Sequence, residues 1–162
     1  MFTDGSKTEE GTGSGIYCRE RGIEVSVPLG ITATVFQSEV VGISECCRIL
    51  SDKGLTNEEI VICTDSESAL SSCKFSAKSV LRCRDDLETL SENNKISLVW
   101  VPGHSNIEGN ERADELARKG SQAGIIGPEP TIGVHARSMA NLLKEKTKEE
   151  HQAMWNNLQA CG

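Results

Sequence analysis

Apolar and polar positions recur with two different periods along the chain, and the switches between them lay out its elements. From Val35 to about Leu50, Phe36, Val40, Ile43, Cys47 and Leu50 return at helical spacing, which predicts a helix with one buried stripe, stopped by Gly54. A second helix is predicted over 77–92, where Val80, Leu81, Leu87 and Leu90 are apolar, and a third over 111–119, stopped by Gly120. Ser14–Arg19 and Ile23–Leu29 read as strands joined through Arg21-Gly22, a hairpin signal. Glu59–Thr64 and Ile96–Val101 are short, mostly apolar runs of the kind buried on both faces of a sheet. Met1–Thr3 reads as the stub of a strand ending at Asp4, with Gly5, Gly11, Gly13 and Gly15 marking a turn, and a short helix to about Phe75 follows Asp65-Ser66. Hairpins first and β-α-β crossovers later predict an α/β fold, a mixed sheet with helices packed on it.

From Gly120 to Gly133 the composition shifts to Gly, Pro, Ser and Ile, which reads as a linker. The segment 138–158 carries Met139, Leu142, Leu143, Trp155 and Leu158 and predicts one more helix. The expected organisation is one domain over 1–120 with a linker and helical tail over 121–162.

Composition narrows the class. A chain 37% hydrophobic and 25% charged is a soluble globular one, and it holds no apolar run long enough to cross a bilayer, so no membrane partner is expected. The start, Met1-Phe2-Thr3-Asp4, has neither the basic nor the apolar part of a secretory signal. The seven cysteines are odd in number and show no C-x-x-C spacing, which argues against zinc and for free thiols. An intracellular protein, cytoplasmic or nuclear and not secreted, is expected. The net charge of −7 opposes tight autonomous binding to phosphates, unless bound divalent cations reverse the charge locally.

Three acids stand where stability alone would not place them. Asp4 ends the first predicted strand, Asp65 follows the apolar Ile-Val-Ile-Cys-Thr, and Glu39 lies between Phe36 and Ile43 on the apolar helix face. Each has an ordinary alternative: Asp65 as a helix N-cap, Asp4 as a turn residue before Gly5, Glu39 at the edge of its stripe. Together, and with Asp114 in the last predicted helix, they suggest a carboxylate cluster whose repulsion calls for cations. Oxygen-only ligands favour Mg²⁺ or Mn²⁺, and two such ions can clamp an in-line displacement at phosphorus.

Phe2-Thr3-Asp4-Gly5-Ser6, Ser38-Glu39 and Thr64-Asp65-Ser66 resemble the first three motifs of the ribonuclease H family. Val99-Trp100-Val101-Pro102-Gly103-His104-Ser105, followed by Gly109-Asn110-Glu111-Arg112-Ala113-Asp114-Glu115-Leu116-Ala117, resembles its long C-terminal signature. The resemblance covers about residues 1–120 in order. It implies a ribonuclease H-like fold, a mixed five-stranded sheet of three antiparallel strands then two parallel ones, flanked by helices. It also implies an endoribonuclease cutting the RNA strand of RNA–DNA hybrids. Asp4, Glu39, Asp65 and Asp114 would hold two Mg²⁺ ions, for which Mn²⁺ could substitute, with Asp4 bridging them. His104 would assist proton transfer or product release.

Substrate contacts are expected from Gly5, Ser6, Thr34, Ser66, Lys74 and Lys78, the last two in a stripe with Arg82 that could track phosphates or, as such stripes more often do, simply face solvent. Two positions depart from the family pattern: Val35 where many members carry Asn, and Glu67 where Gln is frequent. Gly127-Pro128-Glu129-Pro130, the helix after it, and Val35-Phe36-Gln37-Ser38-Glu39 resemble the ribonuclease H region of non-LTR retrotransposon polyproteins. That likeness implies a reverse transcriptase domain as partner, with a catalytically weak relic acting as a binding or structural module as the alternative. Only two residues precede Thr3-Asp4, so the first strand is expected to be short and weakly held, as in a piece of a longer polyprotein or a displaced start.

Overall fold

Five strands, β1 (Phe2–Lys7), β2 (Thr12–Cys18), β3 (Ile23–Gly30), β4 (Glu59–Thr64) and β5 (Lys95–Trp100), form one sheet in the order β3-β2-β1-β4-β5. The computed structural model describes residues 1–74, 77–125, 140, 144–150 and 152, and the side chains of all of these except 73 and 74. β1, β2 and β3 are antiparallel neighbours, while β4 runs parallel to β1 and β5 parallel to β4, the mixed sheet expected. The helices are α1 (Val35–Asp52), α2 (Glu67–Leu70), α3 (Lys78–Ser91) and α4 (Glu108–Gln122). A 3₁₀ turn over Ser71–Lys74 continues α2.

Local signals explain the two tightest boundaries. Gly22 and Gly54 take φ of +60° and +65°, a left-handed conformation that costs glycine little, and so turn the β2–β3 hairpin and end α1. At its other end α1 is fixed by a capping box between Thr34 and Gln37.

The core has two unequal layers. On one face of the sheet, Cys46, Cys47 and Leu50 of α1 meet Ile16, Ile60 and Ile62, with Leu90 of α3, while Val40 and Ile43 of α1 pack with Val80 and Cys83 of α3. On the other face α4 sets Ala113 and Leu116 against Tyr17 and Phe2. Among the described residues the free thiols are Cys18, Cys46, Cys47, Cys63 and Cys83.

The structure corrects several expectations. β1 does not stop at Asp4: it pairs with β2 from Phe2↔Tyr17 to Lys7↔Thr12, so Asp4 lies inside a strand held along its whole length. Gly13 and Gly15 are not turn residues but lie within β2, where a Cβ would stand 2.3 Å from the Ser121 nitrogen and 2.0 Å from the Ala113 oxygen respectively. The glycines exist because the backbone of α4 lies directly on the strand. Gly120 does not end α4, which begins at Glu108 and runs through to Gln122; a Cβ at Gly120 would lie 3.0 Å from the Val27 oxygen.

β4 and β5 are buried on one face only. α4 covers β1 to β3, leaving Val61 and Val99 exposed on the uncovered part of the sheet. The tail helix is described at 140, 144–150 and 152, which are helical and exposed; the rest of 138–158, Phe75 and linker residues 126–133 lie outside the described residues.

Candidate metal centre

Register and close packing bring the acids together. Phe2 of β1 stands opposite Cys63 of β4, so two residues further along Asp4 comes level with Asp65, where β4 has just ended. Glu39 arrives from α1, which lies so near β1 that a Cβ on Gly5 would stand 2.4 Å from Ser38 Oγ and 2.9 Å from the Glu39 nitrogen. Gly5 therefore lets α1 settle onto the strand. Ser14 Oγ pins the same turn by donating to the Ser38 oxygen at 2.6 Å. The result is that one oxygen each of Asp4, Glu39 and Asp65 lies within 4.8 Å of the others. Asp4 and Glu39 are buried, at 7% and 5% exposure, and Asp65 is half-buried.

Few donors compensate this charge. Asp4 Oδ1 accepts from the Gly5 N–H at 2.7 Å, Glu39 Oε2 from Thr64 Oγ1 at 3.4 Å, and Asp65 Oδ2 from Asn110 Nδ2 at 3.3 Å. Among the described residues no Lys or Arg forms an ion pair with any of the three. Burial first, and then the charge of Asp65, push the Asp4 carboxyl from an ordinary 3.8 up to about 7. Burial, Asp4 and Asp65 push Glu39 from 4.5 up to about 9. Without a cation the group must hold protons at neutrality. An all-carboxylate donor set of this closeness fits a hard divalent cation such as Mg²⁺ or Mn²⁺, and lacks the nitrogen and sulfur ligands zinc favours.

The fourth acid flanks this group. Asp4 pairs with Gly15, and the Ala113–Ala117 turn of α4 rests on Gly15, which brings Asp114 to the level of Asp4. Its negative charge helps raise Asp4, yet its own Oδ2 accepts from Arg118 at 2.6 Å, and it stands outside the group of three.

His104 is exposed, on the loop between β5 and α4, with φ of +51°; Asn106 beside it has +57°. Left-handed non-glycine residues are strained and gather at functional loops. That loop crosses the centre closely, since a Cβ at Gly103 would lie 2.6 Å from Asp65 Oδ2.

The expected substrate contacts fall around this centre in different states. Ser6 is half-buried on β1, two residues past Asp4. The Thr34 hydroxyl is engaged in the α1 cap, accepting from the Gln37 N–H at 3.2 Å. Ser66 Oγ likewise accepts from the Ala69 N–H at 3.2 Å. Lys78 and Arg82 are exposed on α3, and the side chain of Lys74 lies outside the described residues.

Two residues at the centre received no role from the sequence. Asn110 is buried against Asp65, and the Trp100 indole N–H donates to the Asp65 backbone oxygen at 3.0 Å. Asn110 could have been found: 110, 113, 117 and 120 recur at helical spacing, and Asn is the one polar side chain in that stripe.

The chain is similar to several known proteins. Over 36 residues the chain is 56% identical to a ribonuclease H of Agrobacterium fabrum, covering 22% of this chain and 25% of that protein. It is 45% identical over 42 residues to a ribonuclease H of Nitrosospira multiformis, covering 26% and 27%. The chain thus spans about a quarter of the length of the curated relatives it matches. The N-terminal RNase H domain of a Mycobacterium tuberculosis protein, solved as a fusion with maltose-binding protein, shares the fold, with a TM-score of 0.53 at 21% identity over 74% of this chain and 89% of that one. The family model for RNase H matches residues 1–122, a span that takes in all five strands and all four acids, and the chain belongs to the RNase H family.

Proposed function

We propose that this chain is an endoribonuclease that hydrolyses the RNA strand of RNA–DNA hybrids, with Asp4, Glu39, Asp65 and Asp114 holding two Mg²⁺ ions. The observation that carries this reading is the close group of Asp4, Glu39 and Asp65, the first two buried, with no Lys or Arg paired to any of them among the described residues, in a chain of this family. Bound ions would supply Lewis acidity and a water of lowered pKa for in-line attack at phosphorus. Asp4 would bridge the ions, being the carboxyl on which Glu39, Asp65 and Asp114 all act. His104, on the loop over Asp65, would give a proton to the departing ribose oxygen, leaving a 3′-hydroxyl and a 5′-phosphate. Gly5, Ser6, Thr34, Ser66, Lys74 and Lys78 would line the path of the hybrid, whose RNA strand is told from DNA by its 2′-hydroxyl.

The domain would span 1–120, extended by the end of α4 to Gln122, with the remainder to 162 as linker and tail, in an intracellular protein. A net charge of −7 and an exposed Val35 and Glu67 beside the centre predict weak grip on the hybrid by this chain alone. A retroelement polyprotein, in which a reverse transcriptase domain supplies the grip, suits that weakness. The ion pair of Asp114 with Arg118 favours a second reading, a weakly active or inactive relic, if that pair does not open.

A labelled RNA–DNA hybrid offered with Mg²⁺, Mn²⁺ or EDTA, beside single-stranded RNA, double-stranded RNA and duplex DNA, decides the matter. Metal-dependent cutting of the hybrid's RNA strand alone is expected, and Asp65→Asn should abolish it. A folded chain that cuts nothing would instead favour the relic.

The raised carboxyls also set a pH dependence. The folded, metal-free chain keeps protons on Asp4 and Glu39 that the unfolded chain releases near their ordinary 3.8 and 4.5. Their contribution to stability is therefore fullest below those values and is lost as pH rises through about 7 and about 9. A cation competes with those protons, so the rise in Tm produced by Mg²⁺ should be larger at about pH 9 than at about pH 6. Thermal melts with Mg²⁺ or EDTA read this directly; a Mg²⁺ effect independent of pH would mean that the ion binds elsewhere.

A further inference from the structure

Asp65 is the least buried of the three grouped carboxylates, and it follows the last residue of β4. Its side chain is free to rotate unless something outside the strand fixes it. Two contacts reach it from sequence-distant elements: the Trp100 indole holds its backbone oxygen at 3.0 Å, and Asn110 Nδ2 donates to Oδ2 at 3.3 Å. Asn110 lies in the first turn of α4 and is 3% exposed, and its Oδ1 is buried with no hydrogen-bond partner among the described residues.

That unpartnered oxygen is informative. A buried carbonyl without a donor is destabilising, so packing alone would favour an apolar side chain like those of the neighbouring Ala113 and Leu116. Turning the amide over does not help, because Oδ1 would then face the Asp65 carboxylate, acceptor against acceptor. The amide is thus held one way round, with its donor on Asp65 and its acceptor left over.

We propose that Asn110 is a positioning residue for the metal centre: its N–H group fixes one oxygen of Asp65 and thereby aims the carboxylate at the cation shared with Asp4 and Glu39. This rests on the reading of the site as a metal centre. The gain lies in preorganisation, since a ligand already aimed loses less freedom when the ion arrives.

The test uses the whole chain and Mg²⁺ alone as probe, with Asn110→Ala and Asn110→Leu. Both remove the donor together with the orphaned acceptor, and the second keeps the branching and the number of side-chain heavy atoms. Metal-free melts of at least one variant should match or exceed the parent. Mg²⁺ affinity measured by calorimetry should fall roughly 10- to 100-fold, the usual effect of losing a group that orients a ligand. In hybrid cleavage, kcat should fall and recover at raised Mg²⁺ while KM for the hybrid stays unchanged. A folded variant that binds Mg²⁺ as the parent does would overturn the positioning role and leave the functional reading standing. A folded parent that binds no Mg²⁺ would overturn both.

Discussion

Glu39→Gln should lose cleavage and gain heat resistance at once. The side chain is buried at 5% exposure, faces Asp4 and Asp65, and has no cationic partner among the described residues. Removing a metal ligand of this kind should lower Mg²⁺-dependent turnover by roughly 1000-fold or more, since a large share of such catalysis is electrostatic. In EDTA the same change removes a carboxyl that must otherwise be buried charged or held protonated. Replacing poorly compensated buried charge by a neutral group of like shape gains about 2 kcal/mol, or roughly 4–8 °C in Tm for a domain of this size. The gain should be greater at alkaline pH, where the parent is most strained by repulsion, and should shrink when Mg²⁺ is added to the parent. Activity assays and melts on one preparation test both halves. A variant that melts below the parent in EDTA would contradict the account of crowded charge, and one that still cuts would remove Glu39 from the centre.

The second large effect is on the fold itself. Gly15→Ala would place a Cβ 2.0 Å from the Ala113 oxygen and 2.4 Å from the Ala117 nitrogen. Both are main-chain atoms of α4, so no side-chain rotation relieves the clash and the helix must lift from β2. A cost of roughly 3 kcal/mol or more is expected, at the upper end for overpacking. Asp114, carried on the same turn, would be drawn away from Asp4, so activity should fall even where the protein still folds. Gly22→Ala is the control: it meets nothing within 4 Å and carries only the strain of φ +60°, so about 1 kcal/mol is expected. Urea unfolding of the two variants compares them, and equal losses would show that the approach of α4 to β2 is looser than described.

These two effects mark what could and could not be read along the chain. The helices and the order of the strands follow from periods of a few residues, which survive folding because each element buries one face. Asp4, Glu39 and Asp65 were visible for the same reason, as charges set in or beside runs that otherwise bury, while Asp114, in a polar stretch of helix, was not marked out in this way. Gly13, Gly15 and Gly120 were misread because turn and cap preferences are local rules, while their cause is contact between α4 and strands about a hundred residues earlier in the chain. The burial of β4 and β5 was overstated likewise: their apolar composition does not say that α4 stops short of Val61 and Val99. Asn110 escaped notice because what sets it apart, an amide with one end satisfied and the other not, exists only once Asp65 is beside it.

The seam between α4 and β2 also limits what evolution can repair. Where two side chains interlock, a harmful enlargement on one can be offset by a reduction on the other, and lineages drift through such pairs. At Gly13 and Gly15 the facing surface is peptide backbone, which has nothing left to shorten. No substitution at Ala113 or Ala117 can compensate for a larger residue on the strand. Hunts for second-site suppressors of a change at either glycine should therefore return true revertants, and the seam can be inherited intact or lost, with no path of paired exchanges between.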